Sequence, residues 1–270
     1  MENILELNNL SIMYNESKTA VKHVNLNIPR NSIVAIVGES GSGKSTLIHA
    51  IMNLLPRNGR ITTGEIIYRN RNIAEYSLKQ MREIRGKGIS MIFQDALSTL
   101  DLKKRIGDQY KEVLKAHFDI SKIEAHRMAV DTLSQFAFQN PERIMKAYPF
   151  ELSGGMIQRV AIAMSVSLKS DILLADEPTS ALDVTVQAQV INTLMELHEK
   201  HQTTIMMVTH NLGVAAYMAD YIIVMKDGIV VEMGKRDEII NHPQHAYTKM
   251  LLTSVPNMEV VDFAYEGCCN

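Results

Sequence analysis

The residues best equipped for chemistry are Gly38-Glu39-Ser40-Gly41-Ser42-Gly43-Lys44-Ser45-Thr46, which fit the phosphate-loop pattern G-x-x-x-x-G-K-[ST]. Glycines there let backbone N–H groups curl around an anion, and a helix N-terminus adds a favourable dipole. Lys44 is placed to reach the β- and γ-phosphates, and the Ser45 hydroxyl to ligate Mg²⁺. A turn that merely contains lysine would lack flanking elements. Here an apolar run over 33–37 precedes the loop and an apolar, helically spaced run over 47–55 follows it, stopped by Pro56. A dinucleotide loop would need G-x-G-x-x-G, whereas the order is Gly38-x-x-Gly41-x-Gly43. The reading is therefore a nucleotide polyphosphate site.

Further candidates stand at the ends of apolar runs. Residues 172–175 deliver Asp176 and Glu177, followed by the rigid Pro178. Asp176 is placed to hold Mg²⁺ directly or through water. Glu177, one residue on and pointing the other way, is the natural base for an attacking water. A run over 203–209 ends at His210, and one over 89–93 ends at Gln94. Strand ends of an open α/β sheet share one crevice, so both should face it. Taken alone, Gln94 is equally a metal or water ligand or a surface amide, and His210 a structural histidine. Ser153-Gly154-Gly155 opens an apolar helix through 160–168, which is either an anion site or a plain N-cap. Tyr14 is either an adenine-stacking residue or an ordinary strand aromatic.

These groups need a scaffold. Alternation at Leu5, Leu7, Leu10, Ile12 and at Val24, Leu26, Ile28 predicts half-exposed antiparallel strands ahead of the phosphate loop. Residues 56–64 read as a polar turn region, and 64–68 and 89–93 as strands. From 95 to 162 the pattern turns helical, with Ile106, Tyr110, Val113 and Leu114 in register, and Pro141 and Pro149 breaking the region. Ser180-Ala181-Leu182-Asp183 caps the following helix, and Lys226-Asp227-Gly228 signals a hairpin. His198 with His201, and His242 with His245, lack an obvious third ligand and read as solvated or structural.

Composition is that of an ordinary globular protein: 46% hydrophobic, 21% charged, net charge −2. No nucleic-acid surface is expected from that charge, and Lys103-Lys104-Arg105 reads as a solvated face. The start of the chain is polar and acidic rather than a signal peptide, and the longest apolar stretch falls short of the ~20 residues of a membrane span. Cys268 and Cys269 are adjacent, so reduced thiols and a cytoplasmic protein are expected. Membrane attachment would then come through a partner.

Taken in order, residues 38–46, Gln94, 152–159, 172–178, 180–183 and His210 resemble the ordered motif set of ABC-type ATPases: Walker A, Q-loop, signature, Walker B with its glutamate, D-loop and H-switch. The resemblance spans about residues 3–235. It implies an α/β P-loop NTPase core, a mixed sheet flanked by helices, with an antiparallel β subdomain and an α-helical subdomain inserted over about 96–165. It implies ATP and Mg²⁺ as cofactors, with Tyr14 on the adenine and residues 38–46 around the phosphates. It also places Ser153, Gly154, Gly155 and Gln158 against the nucleotide of a second subunit in a head-to-tail dimer. Glu177, His210, Lys44 and Gln94 are then the catalytic set, and Ser45, Gln94 and Asp176 the metal set.

The C-terminal stretch over 242–252 with Ser254-Val255-Pro256 is similar to the tail of the oligopeptide, dipeptide and nickel importer ATPases, so 1–235 is expected as the cassette and 236–270 as an extension. That resemblance implies two membrane permeases, a second ATPase subunit (identical or related), and an extracytoplasmic binding protein acting indirectly, at the cytoplasmic face of the membrane. Two departures stand out: Ala96-Leu97-Ser98-Thr99 where the subfamily carries proline, and Asn211 where aspartate is common. No iron–sulfur site is expected. The competing readings are a soluble ABC ATPase acting on ribosomes or DNA, and a phosphate-loop kinase, which would lack Leu152-Ser153-Gly154-Gly155 and Glu177.

Overall fold

A computed structural model of the protein describes residues 2–15 and 18–253. Two sheets organise these residues. The larger has six strands in the order β10-β9-β3-β8-β7-β6, built from β3 (Ile33–Val37), β6 (Ile89–Ile92), β7 (Ile172–Asp176), β8 (Thr204–Val208), β9 (Tyr221–Lys226) and β10 (Ile229–Lys235). All neighbours are parallel except β9 and β10, which form an antiparallel hairpin. Its turn is Asp227-Gly228, both at positive φ, as a two-residue hairpin demands.

Every residue of β3, β6, β7 and β8 is buried, which fits their largely apolar sequences: the strands of a parallel sheet are covered on both faces. Alternate side chains serve different cores. Val34, Ile36, Leu174 and Met206 pack with the antiparallel sheet and with α1 (Lys44–Ile51). Leu173, Ala175, Ile205 and Met207 pack with a helical core on the other face.

The smaller sheet, order β2-β1-β4-β5, is antiparallel. It comprises β1 (Asn3–Tyr14), β2 (Lys18–Pro29), β4 (Gly59–Tyr68) and β5 (Arg71–Asn72). Here the reading of 56–64 as a turn region is corrected, because β4 begins at Gly59. Ile61 pairs with Ile12 and Gly59 with Tyr14, while Arg60, Thr62 and Thr63 face solvent, and that outward face made the segment look like a loop. After α2 (Leu78–Ile84) and β6 comes the helical insertion: α3 (Ile106–His117), α4 (Lys122–Gln135), α5 (Pro141–Lys146) and α6 (Gly154–Val166). Pro141 and Pro149 open elements here rather than only breaking them; Pro141 sits in the first turn of α5, whose N-terminus Asn140 caps.

After β7 come α7 (Val184–His201), capped by Asp183, and, beyond β8, α8 (Leu212–Met218), capped by Asn211. Finally α9 (Arg236–Asn241) and α10 (Ala246–Thr253) follow β10. Ile239 and Tyr247 share a core with Ala35, Val37 and Val224, so this last segment lies directly behind the strand that leads into the phosphate loop. Ser254-Val255-Pro256, Cys268 and Cys269 lie outside the described residues. Among the described residues no helix is long and apolar enough to cross a membrane, and no group of three or more His, Cys, Asp or Glu could hold a metal ion.

Candidate active site

The C-terminal ends of β3, β6, β7 and β8 deliver the candidate residues to one region. The loop after β3 wraps tightly. A Cβ on Gly38 would lie 2.1 Å from the Met225 carbonyl oxygen, and one on Gly43 2.5 Å from that of Ala20. Both have positive φ, so only glycine fits without displacing neighbouring backbone. Lys44 is buried, and its Nζ donates to the carbonyl oxygens of Gly38 and Glu39, each at 2.7 Å. Burial holds its ammonium below the usual lysine range, while the carboxylates of Glu177, Asp176 and Glu39 pull the other way.

Ser45 Oγ donates to Asp176 Oδ1 at 2.8 Å, and His49 Nε2 lies 3.4 Å from the other oxygen of that carboxylate. Asp176 is almost fully buried. Burial raises its carboxyl above the usual range, tempered by the Ser45 hydrogen bond and by His49. Adjacent hydroxyl and carboxylate oxygens are the hard donors that suit Mg²⁺, so Ser45 and Asp176 fit that ion.

Glu177 adopts a positive φ of 46°, uncommon for a residue with a side chain. Its N–H bonds the Val208 carbonyl and its own carbonyl accepts from Ser180 Oγ; together these bonds hold the turn. Its carboxylate accepts from Gln94 Nε2 at 3.1 Å and lies 3.3 Å from His210 Nδ1. Three strand ends thus meet at one carboxylate, which can accept a proton from water held against a phosphate.

A cleft of about 410 Å³ joins Tyr14, Lys44, Ser45, Thr46, Gln94 and Glu177. Tyr14 Oη is 3.1 Å from Thr46 Oγ1, and its ring abuts Gly59, where a Cβ would come within 2.7 Å. Ser40, Gly41 and Gly43 also line the cleft, and Glu39 and Ser42 complete its loop. Lys18, Lys22 and Asp227 border it too and were missed from sequence. They come from β2 and the distant β9–β10 hairpin, which meet where the Lys22 N–H bonds the Gly228 carbonyl.

Ser153 and Gly154 are exposed and absent from this cleft. Ser153 Oγ caps α6 by accepting the Met156 N–H at 3.3 Å, and no atom would meet a Cβ on Gly154. The helix N-terminus is therefore open to another molecule. Gly155 is half-buried against Leu182. Gln158, which the resemblance expects against the nucleotide of a second subunit, faces inward in this chain. It is 3% exposed, and its amide donates to the Pro178 and Phe93 carbonyls at 3.0 and 3.4 Å. It lies on the buried face of α6 and braces the two segments that carry Glu177 and Gln94.

Of the histidine pairs, His198 Nδ1 bonds the Thr203 carbonyl oxygen and His245 Nδ1 accepts the Tyr247 N–H, both structural roles. Lys103, Lys104 and Arg105 are exposed, with Lys104 paired to Glu112.

Residues 21–180 match the family model of the ABC transporter, and residues 231–264 that of the oligopeptide/dipeptide transporter, C-terminal region. The chain is 42% identical over 264 residues to the dipeptide transport ATP-binding protein DppD of Bacillus subtilis, covering 96% of this chain and 79% of that one. It is 43% identical over 260 residues to the oligopeptide transport ATP-binding protein OppD of the same organism, covering 95% and 73%. Among solved structures, the dimeric ATP-binding cassette MJ0796 bound to ADP and Pi in a post-hydrolysis state aligns with a TM-score of 0.77 at 31% identity, covering 86% of this chain and 98% of that one. CbiO1 from Clostridium perfringens aligns with a TM-score of 0.75 at 27% identity, covering 90% and 92%. The phosphate loop, the strand-end carboxylates and the six-stranded sheet thus sit in a chain that belongs to the ABC transporter family, as an ATP-binding, ATP-hydrolysing cassette.

Proposed function

We propose that this chain is the ATPase subunit of a membrane importer for peptides. The observation that carries the reading is the C-terminal segment over 231–264, which matches the oligopeptide/dipeptide transporter region and whose described part, up to residue 253, packs behind β3 through Ile239 and Tyr247. The two relatives above are named for dipeptide and oligopeptide transport, which favours peptides over nickel complexes as cargo. Leu97 and Leu102, exposed at 43% and 48% just beyond Gln94, supply apolar surface for a permease.

In this reading ATP lies in the cleft, its adenine on Tyr14 and its phosphates in the loop over 38–46. Lys44 neutralises charge on the β- and γ-phosphates. Mg²⁺, held by Ser45 and Asp176 with Gln94 nearby, supplies Lewis-acid charge stabilisation when bound. Glu177 orients the attacking water and takes its proton, while His210 touches both that carboxylate and the γ-phosphate side. Gln94 links the base to the segment that faces the permease. The open N-terminus of α6, with Ser153, Gly154 and Gly155, completes the site of a second ATPase subunit, so turnover requires two cassettes to close. Two permeases, a second cassette and, indirectly, an extracytoplasmic binding protein are the partners, at the cytoplasmic membrane face.

Affinity purification of the tagged chain from solubilised membranes tests this. Recovery of two multi-span permeases and a second ATPase is expected. Recovery of ribosomal or DNA-associated partners alone would leave the ATPase standing and overturn the importer.

A further inference from the structure

Tyr247, on α10, is buried, and its hydroxyl oxygen accepts the backbone N–H of Glu39 at 3.0 Å. That N–H belongs to the peptide joining Gly38 to Glu39, whose carbonyl oxygen receives the Lys44 ammonium at 2.7 Å. One peptide plane is therefore held from both ends, by Tyr247 and by Lys44. Its orientation is not secured by local sterics, because Gly38 carries no Cβ and sits at φ 147°. Flipping this peptide would turn an N–H toward the ammonium and take away one of its acceptors, leaving the Glu39 carbonyl and the Ser42 hydroxyl. The tyrosine itself is well anchored. Lys226 Nζ stands 4.8 Å from its ring centroid, the ring packs with Val37 and Ile239, and Glu232 accepts the N–H groups of Gln244 and His245 at 2.7 and 3.1 Å. The turn leading into α10 is thereby tied to β10.

We infer that Tyr247 is a positioning residue for Lys44, acting through the Gly38–Glu39 peptide, so that the C-terminal segment sets the nucleotide affinity of the phosphate loop. The inference rests on the reading of Lys44 as a phosphate ligand. If the peptide turns in a fraction of molecules, apparent affinity falls by the competent fraction, while saturating ATP restores the competent form. KM therefore moves and kcat does not.

The experiment compares wild type, Tyr247→Phe, Leu252→Ala and Lys44→Ala in the full chain, measuring ATP affinity, KM, kcat and thermal midpoint. Tyr247→Phe keeps the ring and removes the hydroxyl, which accepts the Glu39 N–H and also bonds the Glu39 side chain. It should raise Kd and KM by about 3- to 10-fold, the net worth of one hydrogen bond, with kcat held within about twofold. Leu252→Ala trims the same helix without touching the hydroxyl and should lower the midpoint while leaving KM unchanged. Wild-type KM in Tyr247→Phe, alongside lost binding in Lys44→Ala, would overturn the inference. So would an equal rise in KM for Leu252→Ala, which would assign the effect to packing. Wild-type affinity in Lys44→Ala would remove the phosphate-ligand reading beneath it, whatever Tyr247→Phe does.

Discussion

Replacing Glu177 by glutamine changes the proposed base and almost nothing else. The side chain keeps its size, and its amide oxygen can still accept the hydrogen bond that Gln94 Nε2 gives the carboxylate at 3.1 Å. The turn is held by backbone bonds to Val208 and Ser180, which the substitution leaves alone. The structural cost is bounded by the altered contact 3.3 Å from His210 Nδ1, about 0.5–1.5 kcal/mol. Loss of a positioned general base costs roughly 10²- to 10⁴-fold in rate, about 2.7–5.4 kcal/mol of barrier. The two ranges do not overlap, so the measurement discriminates. Phosphate release at saturating MgATP, with nucleotide binding and thermal midpoint followed in parallel, should show turnover down by at least about 100-fold while ATP stays bound and the fold is intact. If two cassettes close before hydrolysis, as proposed, the variant should also accumulate as an ATP-bound dimer. A folded, ATP-binding Glu177→Gln protein that turns over within about threefold of wild type would refute the assignment.

Other expectations follow from the same geometry. Ser153→Ala removes the cap that accepts the Met156 N–H and should cost about 1 kcal/mol of stability. Since Ser153 does not line its own chain's cleft, isolated chains should bind ATP as wild type while hydrolysis in the assembled pair falls; a loss of monomer affinity would contradict the two-subunit site. Gln158→Ala strands the Pro178 and Phe93 carbonyls and should destabilise by about 1–3 kcal/mol; an unchanged urea midpoint with weakened ATP binding would restore it as a ligand. Asp176→Asn tests the buried carboxyl in nucleotide-free protein. Its folded pKa is raised by burial, so the stability it lends is full below the unfolded value, about 3.9, and is lost as pH rises through the folded one. The variant should therefore be more stable than wild type near pH 7, with the advantage shrinking toward about pH 4. Urea midpoints at both pH values check this, and a pH-independent difference would contradict it.

Strand-end chemistry was legible because β6, β7 and β8 are buried throughout and announce themselves as largely apolar runs. Once they are neighbours in a parallel sheet, Gln94, Glu177 and His210 have to meet. The Asp227-Gly228 hairpin was equally plain, since the turn type dictates its residues. What escaped depended on long-range packing. The first half of β4 shows solvent a polar face and takes its strand character from pairing with β1. Gln158 carries the same residue type whether it faces a ligand or a carbonyl; only the burial of its face of α6 decides. Lys18 and Lys22 reach the cleft because β2 folds against the β9–β10 hairpin. Tyr247 meets the phosphate loop across more than two hundred residues of chain, which no local pattern encodes.

ATP-driven peptide uptake into vesicles containing the complete assembly is the most direct test of the central claim. Uptake of a labelled peptide should require MgATP with the wild-type chain and vanish with Glu177→Gln at equal complex recovery. Equal uptake by the two complexes would separate this chain's hydrolytic site from transport and contradict the account.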